Sequence, residues 1–314
     1  MIATDDQLIS TTFAGRVRVH GPASSALAAL HLGAKGRPSW EAIRKLGPTR
    51  YEAEPISQGQ AHVEPFQRDF GDSLVHGASN APATCSILPT HHPGDPRHLP
   101  AAMSFAFAQQ WARLGLACIH GALLTVADQG VLVLGHKGAG KSVLATSALV
   151  AGGRLVSDDY LLAGIRDDVL WGERIRAFVS LRQSWAARSL FEAVGTRWQT
   201  NRGGTRAFLP VDADDPRFPD HARIDHIWLL TRPRAGRRRD SNLEPIPQAT
   251  LFAALVSAAQ PLLLGPDFPH EGRLLTDLFL RLASHAQPAR LETGQDIVLE
   301  PRTTWSRLLH PPRP

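Results

Sequence analysis

Apolar and polar positions along the chain follow two regimes, with a change near residue 100. Before it, short apolar stretches recur without a sustained period. Phe13–His20, Tyr51–Ile56 and His62–Phe66 alternate as strands do, and Ala23–Leu32 has helical spacing. His91–Pro100 (HHPGDPRHLP) places three prolines and three histidines in ten residues. The prolines bar a helix, so this segment is a loop or linker, and its histidines have no helical face on which to share a metal.

From Ala101 the periodicity sharpens. Ala101–Leu116 predicts a helix; Cys118–His120 and Leu123–Thr125 predict short strands. The run Val131–Leu134 is short, β-branched at alternate positions and bounded by glycines, the pattern of a buried strand. A turn at Gly135–Gly140 then leads into a helix from Lys141 to about Val150, closed by Gly152–Gly153. Leu155–Ser157 predicts another buried strand, ended by Asp158–Asp159. A hairpin follows, Tyr160–Ile165 with Val169–Trp171, turning at Arg166–Asp168. Asp225–Thr231 is a further strand and Leu274–Ala283 an amphipathic helix. Ala289–Glu292 and Asp296–Leu299, split at Gly294, predict a closing hairpin. The alternation of strand, Gly-rich turn, helix and strand gives an α/β domain over 101–314 with helices on a largely buried sheet. Residues 1–100 form a smaller, partly β region of α+β character, a candidate for substrate or partner binding.

Composition narrows the class. The 314 residues are 43% hydrophobic and 20% charged, which a folded chain shows and a disordered one does not. No apolar run approaches the roughly 18 residues of a membrane-spanning helix. Cys85 and Cys118 are too few for a disulfide framework, so the chain is expected to be cytoplasmic. The net charge of +5 comes almost wholly from arginines spread along the chain, because only Lys35, Lys45, Lys137 and Lys141 are lysines. The one dense run, Arg232–Arg239 (RPRAGRRR), reads as a solvated loop ahead of a phosphate contact or a nucleic-acid patch. Nucleic acid is therefore disfavoured as a partner, and Trp185, Trp198 and Trp228 read as core or rim aromatics.

The chemistry concentrates at Gly135-His136-Lys137-Gly138-Ala139-Gly140-Lys141-Ser142, which satisfies G-x-x-x-x-G-K-[ST] between a strand and a helix. Glycines at 135, 138 and 140 let successive N–H groups turn into one concavity. The following helix, with Val143 in its first turn, points its positive end there. Lys141 suits the β- and γ-phosphates of ATP and Ser142 suits Mg²⁺. Seventeen residues beyond Lys141, Asp158 and Asp159 close a buried strand. Adjacent acids are costly there unless a cation shares the site, so one fits a metal and the other a proton.

Residues 118–163, with His120-Gly121, Gly135–Ser142 and Asp158-Asp159 at kept spacing, resemble the catalytic core of the HPr kinase/phosphorylase family. The resemblance implies a P-loop kinase domain of the HPr kinase/PEP carboxykinase-like type, a mixed sheet flanked by helices. It implies that Lys141 polarises the transferred phosphoryl group, Ser142 and Asp158 hold Mg²⁺, and Asp159 deprotonates the acceptor hydroxyl. His120 is implied beside the phosphates, and a homo-oligomer is implied for the assembly. Three departures stand out. The family's Glu-Ile-Arg-Gly motif has only Gly172-Glu173-Arg174-Ile175-Arg176 as its counterpart, which makes Glu173 a weaker metal candidate. The arginine stretch serving the reverse reaction has only Arg206 and Arg223 as stand-ins, and residues 1–100 match nothing in the family's N-terminal domain.

The pattern supports a divergent Mg²⁺- and ATP-dependent kinase acting on a hydroxyl, foremost Ser, of a peptide or protein, with a modified peptide as a candidate acceptor. A nucleotide-binding regulatory ATPase and a kinase of a small-molecule hydroxyl are the alternatives. Against the ATPase, the chain carries no LSGGQ-type signature and no apolar strand ending in Asp-Glu.

Overall fold

Two apolar runs, ALLTV after Gly121 and QGVLVL before Gly135, pair within a sheet. The computed structural model describes residues 112, 115–174, 189–190, 192–194, 215–231, 239–259 and 272–310, together with the backbone of further strands and helices. The chain divides into two compact units, 1–118 with 260–276, and 119–259 with 277–314.

In the first unit, β1 (Gln7–Ser10), β2 (Arg16–His20), β3 (Thr49–Glu54), β4 (Pro65–Asp69), β5 (Ser73–Ala78) and β6 (Thr84–Ile87) form an antiparallel sheet ordered β1-β2-β3-β6-β5-β4. Strand is found within or beside each of the three expected strand segments. The expected helix at 23–32, the loop at 91–100 and all of the expected helix at 101–116 except Ala112, Gly115 and Leu116 lie outside the described residues.

The second unit is mixed α/β. Its main sheet runs β10-β8-β9-β17-β19-β18, from β8 (Ala122–Val126), β9 (Gln129–Leu134), β10 (Arg154–Ser157), β17 (His226–Thr231), β18 (Asn242–Pro245) and β19 (Gln287–Glu292). Strands β9, β17 and β19 are parallel, while β8 is antiparallel to both β9 and β10, so β10 points the same way as β9. The carboxyl ends of four strands therefore gather on one edge. A second sheet, β16-β12-β11-β7, comprises β7 (Leu116–His120), β11 (Tyr160–Arg166), β12 (Val169–Arg174) and β16 (His221–Arg223). The β11–β12 turn lies where the sequence places it, with Asp167 and Asp168 at positive φ.

Residue parity explains the core. Alternate residues Ala122, Leu124 and Val126, Val131 and Val133, Trp228 and Leu230, and Ala289 and Leu291 face one side of the main sheet. Against them pack α1 (Lys141–Val150), through Leu144, Ala145, Ala148 and Leu149, and the later helix Pro301–Leu309 through Trp305, Leu308 and Leu309. Trp305 stacks on Trp228 at 5.7 Å and donates its indole N–H to the Ser147 hydroxyl at 3.1 Å. The sheets meet at Gly172, where a Cβ would come within 2.5 Å of Leu123. There are also a third sheet, β13 (Phe178–Arg182), β14 (Gln199–Thr200) and β15 (Arg206–Pro210), and the helices α2 (Trp185–Val194), α3 (Gln248–Ala258) and α4 (Pro269–His285). The last of these contains the expected amphipathic segment 274–283.

The closing hairpin is not formed. Gln287–Glu292 is indeed a strand, but it pairs with β17 and β18, and Asp296–Leu299 is a one-turn helix, α5, leading into α6 (Pro301–Leu309). The reason is Asp296, whose buried carboxylate accepts the Ser241 amide and hydroxyl and pairs with Arg307. Pro301 at the start of α6 then suits a helix N-terminus better than a strand. Among the described residues no helix is long and apolar enough to cross a membrane.

Candidate functional site

The turn after β9 is shaped by its glycines. Gly138 and Gly140 adopt φ of 83° and 111°, which side chains with a Cβ resist. At Gly135 a Cβ would press on the Leu230 carbonyl at 2.9 Å, so only glycine leaves β9 this close to β17. Gly140 is the N-cap of α1 and has no side chain with which to cap; the first helical bond is Leu144 N–H to the Gly140 carbonyl. No acid occupies the first turn. The leading N–H groups of a ten-residue helix thus go without a side-chain cap at the mouth of the turn, the arrangement that receives an anion.

Lys141 folds back over the turn. Its ammonium donates to the Gly135 carbonyl at 2.5 Å and to that of His136 at 3.5 Å, and the residue is 8% exposed. Burial pulls its pKa below the ordinary lysine value, opposed by the charge of Asp159 and then of Asp158. Both acids are thus within electrostatic reach of this ammonium. Ser142 and Val143, half-buried, follow in the first turn, while His136, Lys137 and Gly138 are exposed and Ala139 is buried.

The acids lie where β10 hands over to β11. Asp158 is buried, and Asp159 is about a quarter exposed. Strand β10 carries an extra residue against β8, since Leu155 faces Leu124 and Ser157 faces Leu123. Such a bulge re-aims the residues after it. Asp159 is fixed at both ends. Its carbonyl accepts the Gly121 amide at 2.7 Å, and its carboxylate is 3.1 Å from His120 Nε2. The His120 ring also lies against Tyr160, 5.2 Å between centroids.

The structure therefore gathers His120, Gly135–Ser142, Asp158 and Asp159 on the carboxyl edge of the main sheet. Glu173 lies on β12 opposite Leu162 and is 4% exposed. Among the described residues no three His, Cys, Asp or Glu side chains form a ready-made metal cluster. The oxygen donors Ser142 and Asp158 nonetheless share that edge, and hard oxygen ligands with room for phosphate oxygens suit Mg²⁺. Arg223 is exposed and pairs with Asp225. Arg206 lies on β15, and residues 232–238, with most of the arginine run, are outside the described residues, as are Trp198 and Gly203–Gly204. Trp228 is core, as its apolar neighbours predict. Sequence reasoning missed Ser157 and Tyr160 and took Gly121 only as part of the His120-Gly121 pair. Their adjacency to the acids and to His120 was the available signal.

No family model matches the chain. Over 80 residues it is 38% identical to an HPr kinase/phosphorylase of Lachnoclostridium phytofermentans, covering 23% of this chain and 26% of that protein. The chain is thus similar to an HPr kinase-like protein, as a divergent relative, and spans about a quarter of that relative's length. Among solved structures, the Hpr(Ser) kinase/phosphatase from Coxiella burnetii aligns with 41% of this chain and 72% of its own, at 18% identity and a TM-score of 0.25.

Proposed function

We propose that the chain is a Mg²⁺- and ATP-dependent kinase that moves the γ-phosphoryl group to a hydroxyl, foremost that of a serine, on a peptide or protein. One observation carries this reading: the buried Lys141 ammonium folds back onto the Gly135 and His136 carbonyls at an uncapped helix N-terminus, with Asp158 and Asp159 within electrostatic reach. The similarity to an HPr kinase/phosphorylase supports it.

In this reading the amides of residues 135–143 and the Lys141 ammonium hold the phosphate chain. Lys141 also neutralises charge on the oxygens of the moving phosphoryl group. Ser142 and Asp158 would hold Mg²⁺, with Glu173 as a further candidate, and the ion would screen the β- and γ-phosphate charge. Asp159 takes the acceptor's proton as its oxygen bonds to the γ-phosphorus and the bond to the ADP oxygen breaks. His120, donating to the Asp159 carboxylate, keeps the base turned toward the acceptor. Most of the acceleration then comes from positioning and charge neutralisation, with the base contributing about 10²–10⁴-fold.

The test is transfer of label from [γ-³²P]ATP to serine-containing peptides with Mg²⁺ present. Wild type should label the acceptor and Asp159→Asn should be at least about a hundredfold slower. Equal rates for the two would refute the assigned base, and ATP turnover indifferent to any acceptor would favour a regulatory ATPase.

A further inference from the structure

Asp158 and Asp159 sit in a bend between two strands of different sheets, and such a bend needs something to fix its shape. Two hydrogen bonds do so. The buried Ser157 hydroxyl donates to the Tyr160 carbonyl at 2.7 Å, bridging the two acids. From outside, the Gly121 amide donates to the Asp159 carbonyl at 2.7 Å. Gly121 is itself wedged: a Cβ would lie 3.0 Å from the Val133 carbonyl and 3.1 Å from Leu132. The second bond thus ties the bend to the chain beside β9, the strand that carries the phosphate turn. A serine at the last position of a buried strand is otherwise an expensive choice, since an apolar residue would pack there without a hydroxyl to satisfy.

From this geometry we infer that Ser157 is a positioning residue, whose hydroxyl sets where the Asp158 and Asp159 carboxylates stand relative to Lys141 and to the cation shared with the phosphates. The inference rests on the proposed Mg²⁺–ATP reading. It adds a residue that touches neither nucleotide nor acceptor. Because the bond closes the bend locally, losing it lets the acids drift while the phosphate turn, on the far side of β8, keeps its shape.

The experiment is titration with a fluorescent ATP analogue, once with Mg²⁺ and once with EDTA, in wild type, Ser157→Ala, Ser157→Thr and Asp158→Asn. Affinity in EDTA reports the phosphate turn alone, and the ratio of the two affinities reports the acid bend. Ser157→Ala should keep the EDTA affinity and lose about five- to tenfold of the Mg²⁺ enhancement, the worth of one hydrogen bond. Ser157→Thr, which retains the donor, should keep most of the enhancement. A wild-type ratio in Ser157→Ala alongside a lost ratio in Asp158→Asn overturns the positioning role and leaves the kinase reading standing. So does Ser157→Thr failing as badly as Ser157→Ala. A wild-type ratio in Asp158→Asn overturns the metal reading on which the inference rests.

Discussion

His120 Nε2 stands 3.1 Å from the Asp159 carboxylate, and the amide of the next residue, Gly121, holds the Asp159 carbonyl. One dipeptide thus grips the second acid at both its side chain and its backbone. If Asp159 is the base, His120→Ala frees the carboxylate to rotate while leaving the Gly135–Gly140 turn untouched. Phosphoryl transfer should fall about 10- to 100-fold with the apparent affinity for ATP unchanged, as steady-state kinetics in both substrates would show.

Lys141 is a charge buried at the expense of stability. Desolvation lowers its pKa despite the attraction of both acids, so the folded state without ligand strains against holding it charged. Lys141→Met should therefore melt at or above the wild-type temperature and bind ATP at least about tenfold more weakly. Differential scanning calorimetry and nucleotide titration on the same sample would check the pair.

His226 offers a pH dependence away from the site. It is half-buried, with Nε2 2.8 Å from the Gln129 amide oxygen, and burial lowers its pKa against a smaller opposing pull from Asp225. A histidine whose folded pKa lies below its unfolded value of about 6.5 makes no difference above that pH, where both states are neutral. As pH falls through about 6.5 the unfolded chain takes the proton first, and stability drops. Urea midpoints should decline from pH 7.5 to pH 5.5, and His226→Gln should flatten part of that decline.

Trp305 is wholly buried, stacked on Trp228 and bonded to Ser147. Trp305→Ala should cost about 3–5 kcal/mol in equilibrium unfolding. Trp305→Phe, which keeps a ring and loses the donor, should cost about 1–3 kcal/mol.

Gly130 exchanges bonds with Asp225, amide to carboxylate and carbonyl to amide, each at 2.8 Å. A Cβ on Gly130 would lie 1.7 Å from the Arg223 carbonyl. Gly130→Ala must move backbone and break this pairing, costing at least about 2 kcal/mol by the same unfolding assay.

The Gly135–Gly140 turn, its helix and the acid-ended strand were legible because their signals are local: glycines at fixed offsets, an apolar run of strand length, and an abrupt Asp-Asp. The β11–β12 hairpin was legible for the same reason. What escaped depends on partners distant in sequence. Asp296 begins a helical turn because Ser241 and Arg307 satisfy its carboxylate, and nothing between residues 289 and 299 announces them. Trp305 completes the core from the far end of the chain by reaching Ser147. The Ser157 bond spans three residues and was within reach of sequence reasoning, yet a serine before two acids gives no sign that its hydroxyl turns back to a carbonyl.

The most direct measurement is a crystal structure with Mg²⁺ and a non-hydrolysable ATP analogue. The triphosphate should lie along the amides of residues 135–143, with the Lys141 ammonium on the γ-phosphate and an Asp159 carboxylate oxygen within about 5 Å of the γ-phosphorus, close enough to share an attacking hydroxyl. A nucleotide bound elsewhere, or both carboxylates more than about 10 Å from that phosphorus with no bridging ion or water, would contradict the kinase assignment.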